Sequence, residues 1–523
     1  MKKIFLSVIA CAGLLTACDM NTTQYGVIDD TAELSFDYIT QNRNYSVYSA
    51  LRGCTVGSWV YDTELQLDQF IALSTNGGRG MNIADGSINP SNGSATGTFE
   101  GMYSRIAQVN FMIEKAQNAL DQGNPTADEA AELSRYVAEG KFARAYFYFY
   151  LFDHFCQTYD SAKGDTEGLG LQLVTVYNPD GDTSKYPGRS SMNATLELIN
   201  GDLLDAFNGL QAYEKAGNTS YTVAGSNYLS SYAAAALQAR VALVTGKYAD
   251  AIAKANYVIG GKYSLATGDD YVDMWYDENV DELIFTPFVN KDEISSPTSF
   301  SIAQGWNYWW PGKTDQCDYI PTQESVLSLA EFEDAEGYIN DVRFESFVAN
   351  IPIAVEGGTV RGYAFVKYPG NPSLNSSNTN YYMNTPKPFR LSEQYLIKAE
   401  AAALNDDPNT ANSAISDLVK ARLYDTDGFT PINLNGSALL TFIRNERSKE
   451  LMGEGFRLSD LRRWKQGFDR NQPYVLNSAI ADTRSVVALS VRYDDEDHRF
   501  VWPIPASEIE INPQIAKQQN PGY

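Results

Sequence analysis

Apolar residues recur at helical spacing in several separated blocks of this chain. From Leu229 they run Leu229, Tyr232, Ala233, Ala236, Leu237, Val241 and Val244, the stripe that one buried helix face requires. Gly246-Lys247 interrupts the stripe, and a second follows through Tyr248, Ile252, Ala255 and Ile259. Another pair of stripes spans Leu391 to Arg422. Its first half carries Leu391, Tyr395, Leu396, Ala399 and Ala403, and its second Ile415, Leu418 and Val419, with Asn405-Asp406-Asp407-Pro408 as the break. A third pair is predicted from Phe99 to Leu120 and from Glu132 to Phe155, the latter burying Phe142, Ala145, Tyr146, Phe149 and Phe152. Ala194 to Ala216 reads as a further first helix, and Leu439 to Trp464 as one long helix. Pro503, Pro505, Pro513 and Pro521 predict a closing strap that is extended and not helical.

The run A-L-x-A-R-x-A-L-x-x-G-K-Y-x-x-A-I around Gly246 is close to a tetratricopeptide repeat, two antiparallel helices joined by a tight turn. Small alanines at the crossing let the two backbones approach. The helix pairs are not contiguous: turn-rich segments at 76–98, 161–191 and 260–387 separate them. Loops of that length in a compact body are usually functional, and binding sites favour loops mounted on rigid elements. The fold class is mostly α, a tetratricopeptide-like helix-pair superhelix carrying a large loop-rich ligand-binding portion with a few short strands.

The first residues change the picture of where this body sits. Lys2 and Lys3 precede an apolar run from Ile4 to Leu15, long enough for a secretory signal and short of a membrane span. Leu15-Thr16-Ala17-Cys18 resembles a bacterial lipobox, so residues 1–17 are expected to be removed and Cys18 to carry acyl chains such as palmitate. Asp19 is the residue that favours inner-membrane retention in enterobacterial lipoproteins, a rule that is not general. Residues 18–35 then form a lipidated flexible tether, 36–225 an N-terminal part with the first helix pairs, and 226–523 a C-terminal part with further pairs, ligand-facing loops and the strap. Of five cysteines, only Cys54, Cys156 and Cys317 stay in the body, with no CxxC spacing for zinc or a disulfide framework, and a single disulfide among the three stays open. The formal charge of −25 disfavours nucleic acid and anionic membrane surfaces as partners.

Candidate chemistry for an enzyme is sparse. The chain has two histidines. His154, beside Asp153, reads as a satisfied imidazole on a helix face. His498 follows Asp494, Asp495, Glu496 and Asp497, an acidic turn between strands or a hard-cation site; the spacing of an EF-hand is absent. A structural calcium ion there stays open, and no cofactor is called for. Asn76-Gly77-Gly78-Arg79-Gly80 lacks the Lys-Ser/Thr of a phosphate loop, and neither G-x-S-x-G nor H-E-x-x-H occurs. Among 65 acidic residues a glycosidase pair is not ruled out by sequence.

The C-terminal region is the most specific. Arg444-Asn445-Glu446-Arg447-Ser448-Lys449-Glu450-Leu451 runs into Gly453-Glu454-Gly455-Phe456-Arg457 and Asp460-Leu461-Arg462-Arg463-Trp464, and the chain ends Trp502-Pro503-Ile504-Pro505, Asn512-Pro513, Gln519-Asn520-Pro521-Gly522-Tyr523. With Arg390-Leu391-Ser392-Glu393 and Phe142-x-Arg144-Ala145-Tyr146, these motifs resemble the SusD/RagB family of outer-membrane nutrient-binding lipoproteins, from the lipobox to Tyr523. The resemblance implies about four tetratricopeptide-like helix pairs and a surface-exposed, lipid-anchored protein of the outer membrane. It also implies a partner, a SusC-like TonB-dependent transporter, and an oligosaccharide ligand, or a peptide in some branches. A protein-only scaffold and a secreted glycosidase are the alternatives from other classes. As physical chemistry, Glu446 with Lys449 and Arg447 with Glu450 stand at i,i+3, which predicts ion pairs along one helix face, and Arg457, Asp460 and Arg463 predict further structural pairs.

Trp306-Asn307-Tyr308-Trp309-Trp310 places three of seven tryptophans in five residues. A sugar ring needs flat apolar faces and directional polar groups, and this stretch has both. If extended, Trp306, Tyr308 and Trp310 share one face and Trp309 the other, so core packing and a ligand platform are both served. The resemblance puts ligand contacts in this region and in the loop before the first repeat helix, here Arg79, Asn89 and Asn92, a loop without tryptophan.

Overall fold

The computed structural model describes residues 35–73, 81–276, 281–290, 317, 319–334, 336–355, 358–374, 383–470 and 490–523. Most of the described chain is helical. Helix α1 (Phe36–Arg43) and α2 (Ser58–Gln66) precede β1 (Phe70–Ala72). Then come the long helices α3 (Gly93–Gln122), α4 (Ala127–Phe155) and α5 (Met192–Lys215), followed by α6 (Ser231–Val244) and α7 (Tyr248–Ile259). The C-terminal part contributes α8 (Asp269–Tyr276), β2 (Leu283–Phe285), β3 (Tyr319–Pro321), α9 (Gln323–Leu329), α10 (Val342–Phe347), and the hairpin β4 (Val348–Val355) with β5 (Gly358–Phe365). After β6 (Phe389–Arg390) follow α11 (Leu391–Leu404), α12 (Pro408–Ala421), α13 (Gly436–Glu450), α14 (Arg457–Trp464), β7 (Phe468–Asp469), β8 (Arg492–Tyr493) and α15 (Ala506–Ile511).

The long helices pack in one continuous series, α3 on α4, α4 on α5, α5 on α6, α6 on α7, α7 on α11 and α11 on α12 and α13. Local signals set their ends. Thr126 and Glu129 form a reciprocal capping box at α4, Ser191 caps α5, and Asp407 caps α12 with Pro408 at its first position. Gly246 turns the chain at φ 72, a left-handed conformation that costs glycine nothing. Alanines fill the seam where α6, α7 and α11 meet: Ala239, Ala242, Ala251, Ala255 and Ala401 are all buried there. Among the described residues the sheet content is four two-stranded antiparallel ladders, β1–β3, β2–β6, β4–β5 and β7–β8.

Two expectations about the C-terminal part are corrected. Leu439 to Trp464 is two helices, because Gly453 and Gly455 take φ 73 and 85 and turn the chain between α13 and α14. The strap is not wholly extended, since it contains α15. It is also no surface ornament: Trp502 and Ile504 are buried, Trp502 N donates to His154 O at 2.7 Å, and Trp502 Nε1 to Gln66 Oε1 at 2.8 Å.

Asn520 locks the end of the strap. Its amide donates to Phe155 O at 2.8 Å and Trp502 O at 2.7 Å and accepts from Arg189 Nη1 at 2.9 Å. Asn520→Ala is expected to lower stability by about 2–4 kcal/mol, because buried partners are left unpaired. Urea unfolding of the variant against the parent checks it.

The charged motif lies inside, not on a solvated face. Arg390 reaches Glu282 (2.8 Å), Glu450 (2.9 Å) and Glu454 (2.6 Å), and Arg422 reaches Glu450 (2.9 Å) and Glu282 (3.0 Å). Arg343 reaches Asp341 (2.6 Å), Glu446 (2.8 Å) and Glu450 (3.5 Å), while Lys367 holds Glu454 and Lys449 holds Glu446. These five cations face five buried carboxylates, with the exposed Glu331 also on Lys449, a near balance that makes burial of so many charges tolerable. The expected Glu446–Lys449 pair is there, at 2.8 Å. Arg447 pairs with Asp460 of α14 at 2.8 Å, and Glu450 with partners far away in sequence. Asp460 also takes Arg463, and Arg457 takes Asp68, at 2.9 and 2.5 Å.

Candidate functional site

Two of the loops singled out by sequence share one root. In the β1–β3 ladder Ala72 is paired with Tyr319 and Phe70 with Pro321. Leu73, the residue after β1, and Cys317, two before β3, are buried in one apolar cluster with Ile320, Ile353 and Ala364. Leu73 and Cys317, the described residues that border 74–80 and 291–316, therefore lie side by side in one cluster. The hairpin β4–β5 packs against this ladder, β5 lying against β3. Tyr61 on α2 packs against Tyr319, ring centroids 5.9 Å apart.

Trp306, Tyr308, Trp309, Trp310 and Arg79 lie outside the described residues, as does Cys18. Asn89 and Asn92 are described. Asn89 is exposed, and its side-chain oxygen accepts from Ser91 N at 2.9 Å. Asn92 is buried and caps α3, accepting from Ser94 N at 3.0 Å and Ala95 N at 3.2 Å. Between them Pro90 O accepts from Ala506 N, so hydrogen bonds tie this turn to the strap.

Residues of α2, α4, α6 and α8 and of the 454–459 segment line a pocket, partly open to solvent, of about 110 Å³, with flat walls that include Trp59, Tyr146, Tyr150 and Phe456. His154 lines it and is only half satisfied: Nδ1 lies 2.8 Å from Tyr150 O, but Nε2 has no partner among the described residues. Burial pushes this imidazole down to about 4. Sequence reasoning missed the cavity because its lining comes from segments up to several hundred residues apart. A wider cleft of about 1000 Å³ runs between the α6–α7 turn, the end of α14 and the 496–501 segment.

The acidic turn is already matched. Asp494 pairs with Arg492 (3.0 Å), Glu496 with Lys465 (3.0 Å) and Asp497 with Arg499 (2.7 Å), and Asp495 accepts from Gly467 N at 2.8 Å. Among the described residues no cluster of His, Cys, Asp or Glu is arranged to hold a metal ion. Two carboxyls on α2 are shifted upward by burial, Asp62 to about 6 and Glu64 to about 8. Glu64 is fully buried and accepts from Gly455 N at 2.6 Å, the geometry of an internal brace. Cys54, Cys156 and Cys317 are free and buried.

Comparison with known proteins adds to this geometry. Residues 351–523 match the model of the SusD family, and residues 65–243 match a second model described as starch-binding associating with outer membrane. No curated protein matches the sequence. Among solved structures, a SusD superfamily protein from Bacteroides thetaiotaomicron is similar at 24% identity, with 93% of this chain and 100% of that one covered and a TM-score of 0.73. A SusD-like carbohydrate binding protein from Bacteroides vulgatus is similar at 18% identity, 92% and 96% coverage and a TM-score of 0.66. A laminarin binding SusD-like protein is similar at 19% identity, 93% and 99% coverage and a TM-score of 0.63. At these identities the structural likeness establishes the fold, the helix-pair architecture described above.

Proposed function

Because this chain belongs to the SusD family, we propose that it is a non-catalytic glycan-binding lipoprotein of the outer-membrane surface, anchored through Cys18. In this reading it captures an oligosaccharide and hands it to a SusC-like TonB-dependent transporter. The observation that carries the proposal is the shared root of the two loops at the β1–β3 ladder, where Ala72 is paired with Tyr319. That pairing supports a joint platform on which Trp306, Tyr308, Trp309 and Trp310 supply stacking faces and Arg79 supplies directed hydrogen bonds. Asn89 and Asn92 complete the set, Asn92 chiefly by fixing the start of α3.

Calorimetry or affinity electrophoresis on a glycan panel that includes laminarin tests the reading. Binding is expected to be weak, roughly micromolar to millimolar, since a carrier must release its cargo. At least one of the four single alanine variants at 306, 308, 309 and 310 is expected to lose about tenfold or more in affinity. Unchanged binding in all four folded variants would remove the platform, and binding of oligopeptides without any glycan would replace the cargo. Co-purification with a TonB-dependent transporter checks the partner.

A further inference from the structure

Five tyrosines gather where α4, α5, the α5–α6 connection and the helical turns after α1 meet, around the buried Arg43 and Arg135. Arg135 stands 5.2 Å from the ring centre of Tyr136, 5.1 Å from Tyr213, 4.8 Å from Tyr221 and 6.0 Å from Tyr228. Arg43 stands 5.2 Å from Tyr48 and 5.8 Å from Tyr228. The two cations are matched by two carboxylates, Arg135 pairing with Glu132 and Glu139 and Arg43 with Glu139. The rings also touch one another: Tyr228 meets Tyr48 edge-on at 5.4 Å and Tyr221 at 4.9 Å and 74°. Three of the phenols are committed, Tyr48 to Glu139, Tyr213 to Glu132 and Tyr136 to Thr40. The hydroxyls of Tyr221 and Tyr228 have no partner among the described residues. Tyr228 is 41% exposed and Tyr221 half-buried, so this pair is the part of the group that solvent reaches.

The surface around the pair is unlike the rest of the chain. The α5–α6 connection lies along β2, with Gly225 N donating to Leu283 O at 2.8 Å and Thr286 N to Ser226 O at 2.9 Å. Arg52 Nη1 donates to Phe288 O at 2.7 Å, which joins the turns after α1 to the same edge. Phe288 is 53% exposed there, and Tyr45 is 63% exposed on those turns. The segments 44–51, 216–230 and 283–290 contain no Asp, Glu, Lys or Arg, in a chain that is 20% charged and carries −25. Their exposed polar side chains are amides and hydroxyls, among them Asn44, Thr219, Ser220 and Asn227.

That composition selects the occupant. An ion finds no counter-charge on these segments. A protein interface of standard size buries about 800 Å² per partner, whereas Val223 is the one exposed large aliphatic residue that the three segments supply. Exposed aromatic rings beside amides and hydroxyls suit a chain of neutral sugars, whose C–H faces stack on the rings and whose hydroxyls both donate and accept. The arginine and ring contacts hold Tyr228 and Tyr221 in place before a ligand arrives, which lowers the ordering cost of binding.

We propose that the Tyr221–Tyr228 pair, with Phe288 on its flank, is a second surface site that binds a neutral oligosaccharide by stacking. It goes beyond the loop platform: Tyr221 and Tyr228 lie on the α5–α6 connection, and the site stands whether or not Trp306 to Trp310 bind sugar.

Hydroxyl-radical footprinting of the mature chain, read by mass spectrometry, tests the assignment. Laminarihexaose, maltohexaose and mannohexaose are the neutral probes, and hexagalacturonate is the charged control. Oxidation of Tyr228 is expected to fall about threefold or more with at least one neutral probe and to be unchanged by hexagalacturonate. Tyr228→Ala, read at Tyr221 and Phe288, should weaken that probe about tenfold. Tyr228→Phe keeps the ring over Arg43 and should retain most of the affinity, which separates stacking from a loss of fold. Trp309→Ala should leave the protection of Tyr228 intact. The proposal is overturned if no neutral probe protects Tyr228 in the parent protein, or if hexagalacturonate protects it equally. Protection lost in Trp309→Ala would make the surface part of the loop site and overturns it too. So does protection that grows with protein concentration in the absence of sugar, which would make this face a contact between copies of the chain.

Discussion

Glu450→Ala is expected to lower the unfolding free energy by about 3–5 kcal/mol, enough to leave much of the protein unfolded at 37 °C. Glu450 is fully buried and is the carboxylate shared by Arg343, Arg390 and Arg422. Burial by itself pushes its pKa up, but the guanidiniums of Arg422 and Arg390 override that and hold the carboxyl well below the usual range. Removing it strands guanidinium charge in the interior, where the loss of one partner costs more than the pair contributes. Those arginines come from α10, β6 and the end of α12, so the loss also loosens the joint between the repeat helices and the 282–390 region. Urea titration at pH 7 measures the effect; a midpoint within experimental error of the parent would mean that water reaches the cluster.

The same residues show how far the sequence could be read. The helix pairs were legible because apolar spacing and the breakers Gly246 and Pro408 act locally, within a few residues. The motif from Arg444 to Trp464 announced ion pairs, and Glu446–Lys449 formed as spaced. Its other partners were invisible: Glu450 meets Arg390 and Arg422, 60 and 28 residues away, and sequence spacing carries no information about such encounters. The break at Gly453 and Gly455 was misread as helix because apolar periodicity continues on both sides of it. For the candidate site, the two loops were nominated by composition, but their common root depends on β1 pairing with β3 across about 250 residues.

Glu64→Gln is the second large effect, with the opposite sign. Burial pushes the Glu64 carboxyl up to about 8, against the Gly455 N–H bond and the charge of Arg457 that favour ionisation. An unfolded glutamate titrates near 4.3. Below that value both states hold the proton and the contribution of this site is fully present. As pH rises from about 4 towards 8 the unfolded chain releases a proton that the folded chain keeps, so stability falls, by roughly 1.4 kcal/mol per pH unit and about 4–5 kcal/mol in all. Glutamine retains an acceptor for Gly455 N and removes the titration. The variant is therefore expected to be more stable than the parent at pH 8–9 and to differ little at pH 5. Glu446, Glu454 and Asp460 act the other way. Their lowered pKa values give stability that is present above the unfolded values near 4 and is lost as pH falls further. Melting curves of both proteins from pH 4 to 9 separate the two limbs; parallel curves above pH 5 would show that Glu64 is ionised in the folded state.

The strap has a consequence for the order in which the molecule can be made. Gln66 donates to Arg499 O across 433 residues, Gln172 to Glu508 across 336, and Arg189 to Asn520 across 331. Contacts of such span form late, since long loops must close before any of them is made. A nascent chain that has not yet released its last twenty or so residues therefore has α2, the end of α4 and Arg189 lacking their final partners. Its early helices can coil and pair as they emerge, but the domain closes only when synthesis is over, and until then the partly folded chain is the form that proteases and chaperones meet.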